Sequence, residues 1–269
     1  MKFSIITATY NSARTLPDTL ESVLAQTYRD VEYIIVDGLS TDGTMDIVRT
    51  YEPRFEGRLV YISERDKGLY DAMNKGLRMA TGDVVGILNS DDFYSTPTAI
   101  EQLARALQGS GADAVYADVH YARSEALHQC VRYYSSAVFR RGLMRLGFMP
   151  AHPTFYCRRA CYEQYGYFHT DYKIAADFEL LLRLIYVHRI STCYLPADLV
   201  TMRTGGASNE SWQSRVAIMR DHNRALHSYG YFSCYPLLAL RYLYKFWEIV
   251  STRFKHPTPL PAYVRGSLP

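Results

Sequence analysis

Several features that would assign a chain to the secreted, membrane-spanning or zinc-binding classes are missing from this sequence. Its 269 residues include five cysteines, an odd number without a Cys-x-x-Cys pair, which predicts reduced thiols in a cytoplasmic protein rather than disulfides or a zinc site. No stretch approaches the roughly 20 uninterrupted apolar residues of a spanning helix. The run at Met1–Ile6 is too short for a signal peptide. A net charge of +3 gives no reason to expect a nucleic-acid partner.

A nicotinamide-binding Rossmann fold is also disfavoured, because Gly-x-Gly-x-x-Gly does not follow the first predicted strand, Phe3–Thr7. The turn after this strand carries hydroxyl groups, the Tyr10 ring and the Asn11 amide. These groups suit hydrogen bonding to, and stacking on, a base or ribose. A first helix is expected to begin with Ser12 or Asn11 as its cap and to run to about Gln26.

Acidic residues follow two further predicted strands. Asp37 ends the strand Tyr33–Val36, and Asp66 lies just past the strand Leu59–Ser63. Open α/β sheets bind ligands at the carboxyl ends of their strands. Both carboxylates are therefore candidates for accepting hydrogen bonds from a nucleotide. For Asp37, the alternative is a turn-forming role before Gly38.

A fourth buried strand, Val84–Leu88, leads into an Asn-Ser-Asp-Asp sequence at 89–92. Two adjacent carboxylates repel each other unless a cation or a proton intervenes. Hard oxygen ligands without nearby Cys or His favour Mg2+ or Mn2+. We therefore expect a metal-bound phosphorylated ligand at Asp91, with Asn89 and Asp92 beside it. The alternative is an ordinary turn and helix cap.

Four motifs in this order resemble the family-2 glycosyltransferases of the GT-A fold. They are Ser-Ile-Ile-Thr-x-x-Tyr-Asn at 4–11, Asp-Gly-Leu-Ser-Thr-Asp-Gly-Thr at 37–44, Tyr-Asp-Ala-Met-Asn-Lys-Gly at 70–76, and Leu-Asn-Ser-Asp-Asp at 88–92. The resemblance implies a mostly parallel α/β sheet flanked by helices and a UDP-, GDP- or dTDP-sugar donor. It implies a metal, Mn2+ or Mg2+, at Asp91, although Asn89 replaces the first carboxylate of the family's Asp-x-Asp motif. The nucleotide is expected to contact Thr7, Tyr10, Asn11, Asp37, Asp66, Asn74, Asn89 and Ser90.

The second half of the chain supplies the candidate base. Asp177 lies where a helix is predicted to begin, so it could serve as a cap that interacts with the helix dipole. The family places its catalytic base in a similar Ala-x-Asp-x-Glu motif. The resemblance therefore implies that Asp177 is the base, with Glu179 as the alternative or a supporting contact. His152, in a predicted rigid extended segment, is either structural or a contact to acceptor or diphosphate.

We predict a glycosyltransferase domain at 1–210, with a nucleotide-binding half at 1–118 and an acceptor half at 119–210. A helical extension with a flexible tail is expected at 211–269. Tyr231–Phe254 mixes apolar and charged residues. This pattern suits a helix at a membrane interface, or one packed on the catalytic domain or on a second copy in a homo-oligomer.

The predicted function is metal-dependent, inverting transfer of a sugar from a nucleotide-sugar to a hydroxyl of a glycan or lipid-linked acceptor. The resemblance places this reaction in bacterial surface polysaccharide synthesis, in the cytoplasm or at the inner face of the plasma membrane. The alternative is a non-catalytic nucleotide-sugar-binding protein, which the substitution at Asn89 keeps open. A nucleotidyltransferase would be expected to carry a Gly-rich basic loop after the first strand, and this sequence has none.

Overall fold

The computed structural model describes residues 1–205 and 212–252. The predicted domain boundary at 210 and the predicted flexible tail lie outside these residues. The strands are β1 Phe3–Thr9, β2 Val31–Asp37, β3 Leu59–Ser63, β4 Val84–Ile87, β5 Phe93–Tyr94, β6 Ala114–Arg123, β7 Ala126–Tyr134, β8 Tyr156–Arg158 and β9 Thr192–Arg203. The α-helices are α1 Leu16–Leu24, α2 Thr44–Tyr51, α3 Leu69–Met79, α4 Ala99–Ser110, α5 Arg159–Tyr165, α6 Ala176–Leu181, α7 Trp212–Ser228 and α8 Tyr235–Ser251.

One sheet contains all of these strands, in the order β3-β2-β1-β4-β8-β6-β9-β5, with β7 paired to β6. The strands β3, β2, β1 and β4 run parallel, as do β6 and β9, whereas β8 is antiparallel to both of its neighbours. The predicted α/β class with a mostly parallel sheet flanked by helices is confirmed. Each apolar run forms a strand because both faces of the sheet are covered by helices.

Two hydrophobic clusters lie on opposite faces of the sheet. One packs α1, α2 and α4 against it through residues such as Leu20, Val48 and Leu103. The other packs α3, α5 and α6 through residues such as Met73 and Phe178. The predicted cap of α1 was wrong, because the helix begins at Leu16 and Thr15 occupies the cap position.

The two C-terminal helices pack against the second half of the sheet domain. The buried Glu248 of α8 forms an ion pair with Arg132 of β7, in which Arg132 Nε donates to Glu248 Oε2 at 3.0 Å. Leu238 is fully buried. The interpretation of this segment as a helix packed on the catalytic domain is therefore confirmed for its inner face. Within residues 1–205 and 212–252, no helix is both long and apolar enough to cross a membrane.

Candidate active site

A cavity of about 830 Å³ opens beside the carboxyl ends of the parallel strands. This volume lies in the range typical of small-molecule sites. The turn after β4 and the start of α3 form part of its wall, and the rest is formed by helices α6, α7 and α8, by the segment 147–153 and by residues of β6, β7 and β9. The cavity thus joins the predicted nucleotide-binding half to the C-terminal helices. Of the predicted site residues, Asn89, Ser90, Asp91, His152 and Asp177 line this cavity.

Asp91 is the candidate metal ligand in the cavity wall. Burial raises the pKa of its carboxyl group, and the nearby positive charge of Arg203 acts in the opposite direction. Arg203 also donates from Nη1 to the backbone oxygen of Asp91 at 2.6 Å, which fixes the turn. A bound cation would favour the ionised form of this carboxylate. The Asp91 side chain therefore fits a hard divalent cation.

Asn89 and Asp92 form a supporting pair behind Asp91. Asn89 Nδ2 donates to Asp92 Oδ2 at 2.9 Å. Burial and the charge of Asp91 raise the pKa of Asp92 well above its ordinary value. In the part of the chain that the structure describes, no three His, Cys, Asp or Glu side chains converge on a common point. A metal at Asp91 would therefore take most of its ligands from phosphate and water, as Mg2+ usually does.

A second group of predicted residues gathers around Gly38, next to the cavity. An ideal Cβ on Gly38 would lie 2.5 Å from Asp66 Oδ2 and 3.4 Å from Tyr10 Cδ2. The Tyr10 side chain is 64% exposed, so one face of its ring is open to a ligand. Asn11 takes a left-handed conformation with φ 49°, and its Oδ1 accepts a hydrogen bond from Thr41 N at 2.9 Å.

Serine hydroxyls connect this surface to the cavity. The Ser12 hydroxyl lies 2.9 Å from that of Ser90, and both residues line the cavity. The Asn11 and Asp91 turns are thereby held next to each other. The carboxyl ends of β1, β2, β3 and β4 therefore form one continuous surface.

Asp177 and His152 are half-buried side chains that both line the cavity and whose charges affect each other. Burial raises the pKa of Asp177, and His152 opposes this shift. Burial also lowers the pKa of His152, and Asp177 opposes that shift in turn. Asp177 lies in the first turn of α6, where its Oδ1 accepts a hydrogen bond from Phe178 N at 2.8 Å.

The His152 ring stands edge-on to Phe168, and both of its nitrogens are buried without a hydrogen-bond partner among the described residues. A buried unsatisfied polar group is costly, which makes these nitrogens candidates for a ligand contact. His152 begins a short 3-10 helix, His152–Thr154, and not the extended segment that was predicted.

Four predicted site residues form hydrogen bonds with other protein groups and do not line the cavity. The Thr7 hydroxyl is buried and donates to Leu88 O at 2.7 Å, so it stabilises the sheet. Asn74 is held by two 2.9 Å hydrogen bonds to the Phe168 backbone. Both side chains are thus held by protein groups in this structure, and their contact with a nucleotide stays a prediction.

The other two are acidic. Asp37 is buried, and its Oδ2 accepts hydrogen bonds from Ser40 N at 3.0 Å and Ser63 Oγ at 2.6 Å, so it stabilises the turn after β2, while its contact with a nucleotide stays a prediction. Glu179 is also fully buried, and Arg183 donates to both of its carboxylate oxygens at 3.0 Å. The Glu179 carboxylate is therefore occupied in the core, and this structure gives no support for a role as base or acceptor contact.

Several residues that line the cavity were not predicted from the sequence. Tyr121 on β6 and Arg132 on β7 line the cavity beside Arg241 and Lys245 of α8. The strand β7 was not predicted from the sequence. Residues 126–134 show no regular alternation of apolar and polar side chains, and the β-branched and aromatic residues Val131, Tyr133 and Tyr134 are the local signal that favours a strand there.

Comparison with known proteins identifies the relatives of this chain. The model of Glycosyl transferase family 2 matches residues 4–169. A PGL/p-HBAD biosynthesis glycosyltransferase of Mycobacterium bovis is 31% identical over 209 residues, which cover 77% of this chain and 79% of the relative.

Solved structures agree with this relationship at the level of the fold. Staphylococcus aureus TarS 1–349 in complex with UDP-GlcNAc superimposes with a TM-score of 0.65 at 20% identity, covering 84% of this chain and 66% of that chain. The mannosyltransferase PcManGT of Pyrobaculum calidifontis, in complex with GDP-Man and Mn2+, has a TM-score of 0.65 at 19% identity. That match covers 94% of this chain and 73% of the mannosyltransferase.

Proposed function

The chain belongs to glycosyl transferase family 2 and has the GT-A fold, and from this premise we propose that it is a metal-dependent, inverting hexosyltransferase. The donor is a nucleotide-sugar, and the acceptor is a hydroxyl of a glycan or lipid-linked saccharide of the cell envelope. One observation carries the proposal: Asp91 and Asp177 line the same cavity. The relative from Mycobacterium bovis, a PGL/p-HBAD biosynthesis glycosyltransferase, supports glycosyl transfer as the reaction.

Asp177 is the proposed general base. Its carboxylate takes the proton of the acceptor hydroxyl while that oxygen bonds to the anomeric carbon and the bond to the nucleoside diphosphate breaks. Burial raises the pKa of Asp177, which makes it a stronger base than an ordinary exposed aspartate. A single displacement with one base inverts the anomeric centre. His152 offers its unpaired ring nitrogens to the acceptor or the diphosphate.

The donor is proposed to bind across the ends of β1 to β4. Tyr10 and Asp66 contact the nucleoside, while Asn11 and Ser90 shape the surface between it and the cavity. Asp91 would hold Mn2+ or Mg2+, which when bound neutralises charge on the leaving diphosphate. Complexes of the structural neighbours with UDP-GlcNAc and with GDP-Man and Mn2+ support such a donor.

We further propose that the outer face of α8 contacts the membrane peripherally, at the inner face of the plasma membrane. Leu243, Phe246 and Trp247 are 71%, 69% and 62% exposed on this face, an arrangement typical of interfacial helices. Phe254, at the end of the predicted membrane segment, lies outside the described residues. The acceptor half would thereby lie close to a lipid-linked saccharide.

A panel of UDP-, GDP- and dTDP-sugars tests the reaction, with nucleoside diphosphate release measured with and without Mn2+. We expect hydrolysis or transfer from one donor, lost without metal and in Asp91→Ala. Asp177→Asn should lower kcat by about 10²- to 10⁴-fold and leave donor affinity unchanged. Asp46→Asn, a change at an exposed carboxylate on α2, is the matched control.

Two results would contradict the proposal. Donor binding measured by calorimetry without turnover on any acceptor would establish the non-catalytic alternative. A protein that binds no nucleotide-sugar at all would overturn both interpretations.

A further inference from the structure

We propose that the C-terminal side of the cavity is a binding site for a phosphoryl group of the acceptor, formed by Arg132, Arg215, Arg241 and Lys245. This group of residues is called the cationic wall below. The inference rests on the proposed function and specifies its acceptor as a phosphorylated molecule. All four side chains line the cavity that contains Asp177.

The positions of two arginines are fixed by the surrounding structure. Arg132 lies over the rings of Tyr121 and Tyr134, with its Cζ 5.1 and 5.0 Å from their centroids. Arg241 Nη1 donates to His222 Nδ1 at 2.9 Å. Burial and the charge of Arg241 lower the pKa of His222 well below its ordinary value, so this imidazole is neutral and can accept the bond. The wall is thus partly preorganised for a ligand.

The cationic wall carries more positive than negative charge. In the described ranges 1–205 and 212–252, one carboxylate forms an ion pair with a cation of the wall. It is Glu248, which pairs with Arg132. Burial, together with the charges of Arg132, Arg215 and Arg241, lowers the pKa of Lys245 to about 8. Concentrating cations in a partly buried wall is unfavourable unless an anion compensates them.

The position of the wall assigns the anion to the acceptor rather than to the donor. Arg203 is the cation whose charge acts on Asp91, whereas the charge of Arg241 reaches Asp177. An anion at the wall would therefore lie on the side of the base, which receives the acceptor hydroxyl. Arg132, Arg241 and Lys245 come from β7 and α8, beyond the predicted nucleotide-binding half.

A phosphoryl group is the anion that suits this wall best. It can carry two charges and several acceptor oxygens, which arginine and lysine side chains bind with charge-assisted hydrogen bonds. Arg132 is already paired with Glu248, and a single carboxylate would still leave two of the other three cations unmatched. The phosphoryl group can belong to a lipid-linked saccharide or to a soluble sugar phosphate, since both present the same chemistry.

Calorimetric binding of glucose 1-phosphate to the full chain tests the site, in the presence and absence of saturating UDP. A parallel arm measures sedimentation with phosphatidylcholine vesicles, with and without phosphatidic acid. Lys245→Gln and Arg215→Gln should each weaken phosphate-dependent binding by about tenfold or more, the loss expected for one charge-assisted hydrogen bond. Arg220→Gln removes an exposed cation of α7 that does not line the cavity, so it is the matched control. Thermal melting confirms that each variant folds.

Binding of the sugar phosphate that survives UDP and is lost in the two variants supports a site for a soluble phosphorylated acceptor. Binding confined to phosphatidic acid vesicles, with the same dependence, supports a lipid-linked acceptor. Equal binding by wild type and Lys245→Gln overturns the inference, as does complete displacement by UDP. Failure of the proposed transferase reaction is a separate result, because it would leave this charge-dependent binding intact.

Discussion

Replacing Gly38 by alanine should move the Asp66 carboxylate without disturbing the sheet. Gly38 has an ordinary backbone conformation, yet an added Cβ would lie 2.5 Å from Asp66 Oδ2. Ordinary contact begins near 3.4 Å, so the carboxylate must retreat by about 0.9 Å. That retreat would stretch a hydrogen bond from the nucleotide beyond the usual limit.

The expected loss is that of one hydrogen bond to a charged group, about 1.5–3 kcal/mol, or about 10- to 150-fold in donor affinity. The free energy of unfolding should change little, since the displaced atom lies at the end of a side chain. An alanine in this conformation also restricts the unfolded chain, which favours folding by about 0.4–1 kcal/mol. The prediction is therefore a weaker donor complex in an equally stable protein.

Calorimetric titration of the donor identified by the panel measures this effect. Gly142→Ala is the matched control, because a Cβ there meets nothing within 4 Å. Asp66→Ala should reproduce the loss, and adding Gly38→Ala to it should cause no further loss, as expected for two changes that act through one group. Unchanged donor affinity in Gly38→Ala, or an equal loss in the Asp66→Ala background, would refute the reasoning.

The remaining predictions concern pH and buried charge. Because Asp177 must be ionised to act and burial raises its pKa, kcat/KM should fall as the pH falls through that raised value; a profile flat down to the ordinary aspartate pKa near 3.9 would contradict this role. Burial opposes ionisation of Glu32, but hydrogen bonds led by that from Lys2 outweigh it and lower its pKa from 4.5 to about 2. Its contribution to stability should therefore be complete above pH 4.5 and be lost between pH 4.5 and about 2, which a Tm series against Glu32→Gln measures. Glu179→Gln should lower the free energy of unfolding by about 3–5 kcal/mol, because it leaves Arg183 buried without its anion; urea unfolding with an unchanged midpoint would contradict this.

The sequence predicted the parallel strands and the candidate site at their ends for a physical reason. Strands buried on both faces appear as continuous apolar runs, and the residue after each run must lie at one edge of the sheet. Asp91 could therefore be assigned to the cavity before any coordinates were known. The fold class also followed from local patterns, because each helix buries an apolar face against the sheet.

Long-range partners explain why several predicted site residues are hydrogen-bonded within the protein. Asn74 lies among the family's polar motifs, but its amide is held by the backbone of Phe168, 94 residues away. Arg183 reaches Glu179 from the next turn of the same helical segment, and the depth of that pair is set by the tertiary packing around it. A sequence shows that a residue is polar, but which partner satisfies it depends on contacts between distant segments.

The cavity is lined both by residues inside the family match and by residues of α7 and α8 outside it. The family match ends at residue 169, whereas Arg241 and Lys245 enter the cavity from a helix beyond it. If the cationic wall binds the acceptor as proposed, mutations in the last two helices would change the acceptor and leave the proposed donor surface at the ends of β1 to β4 intact.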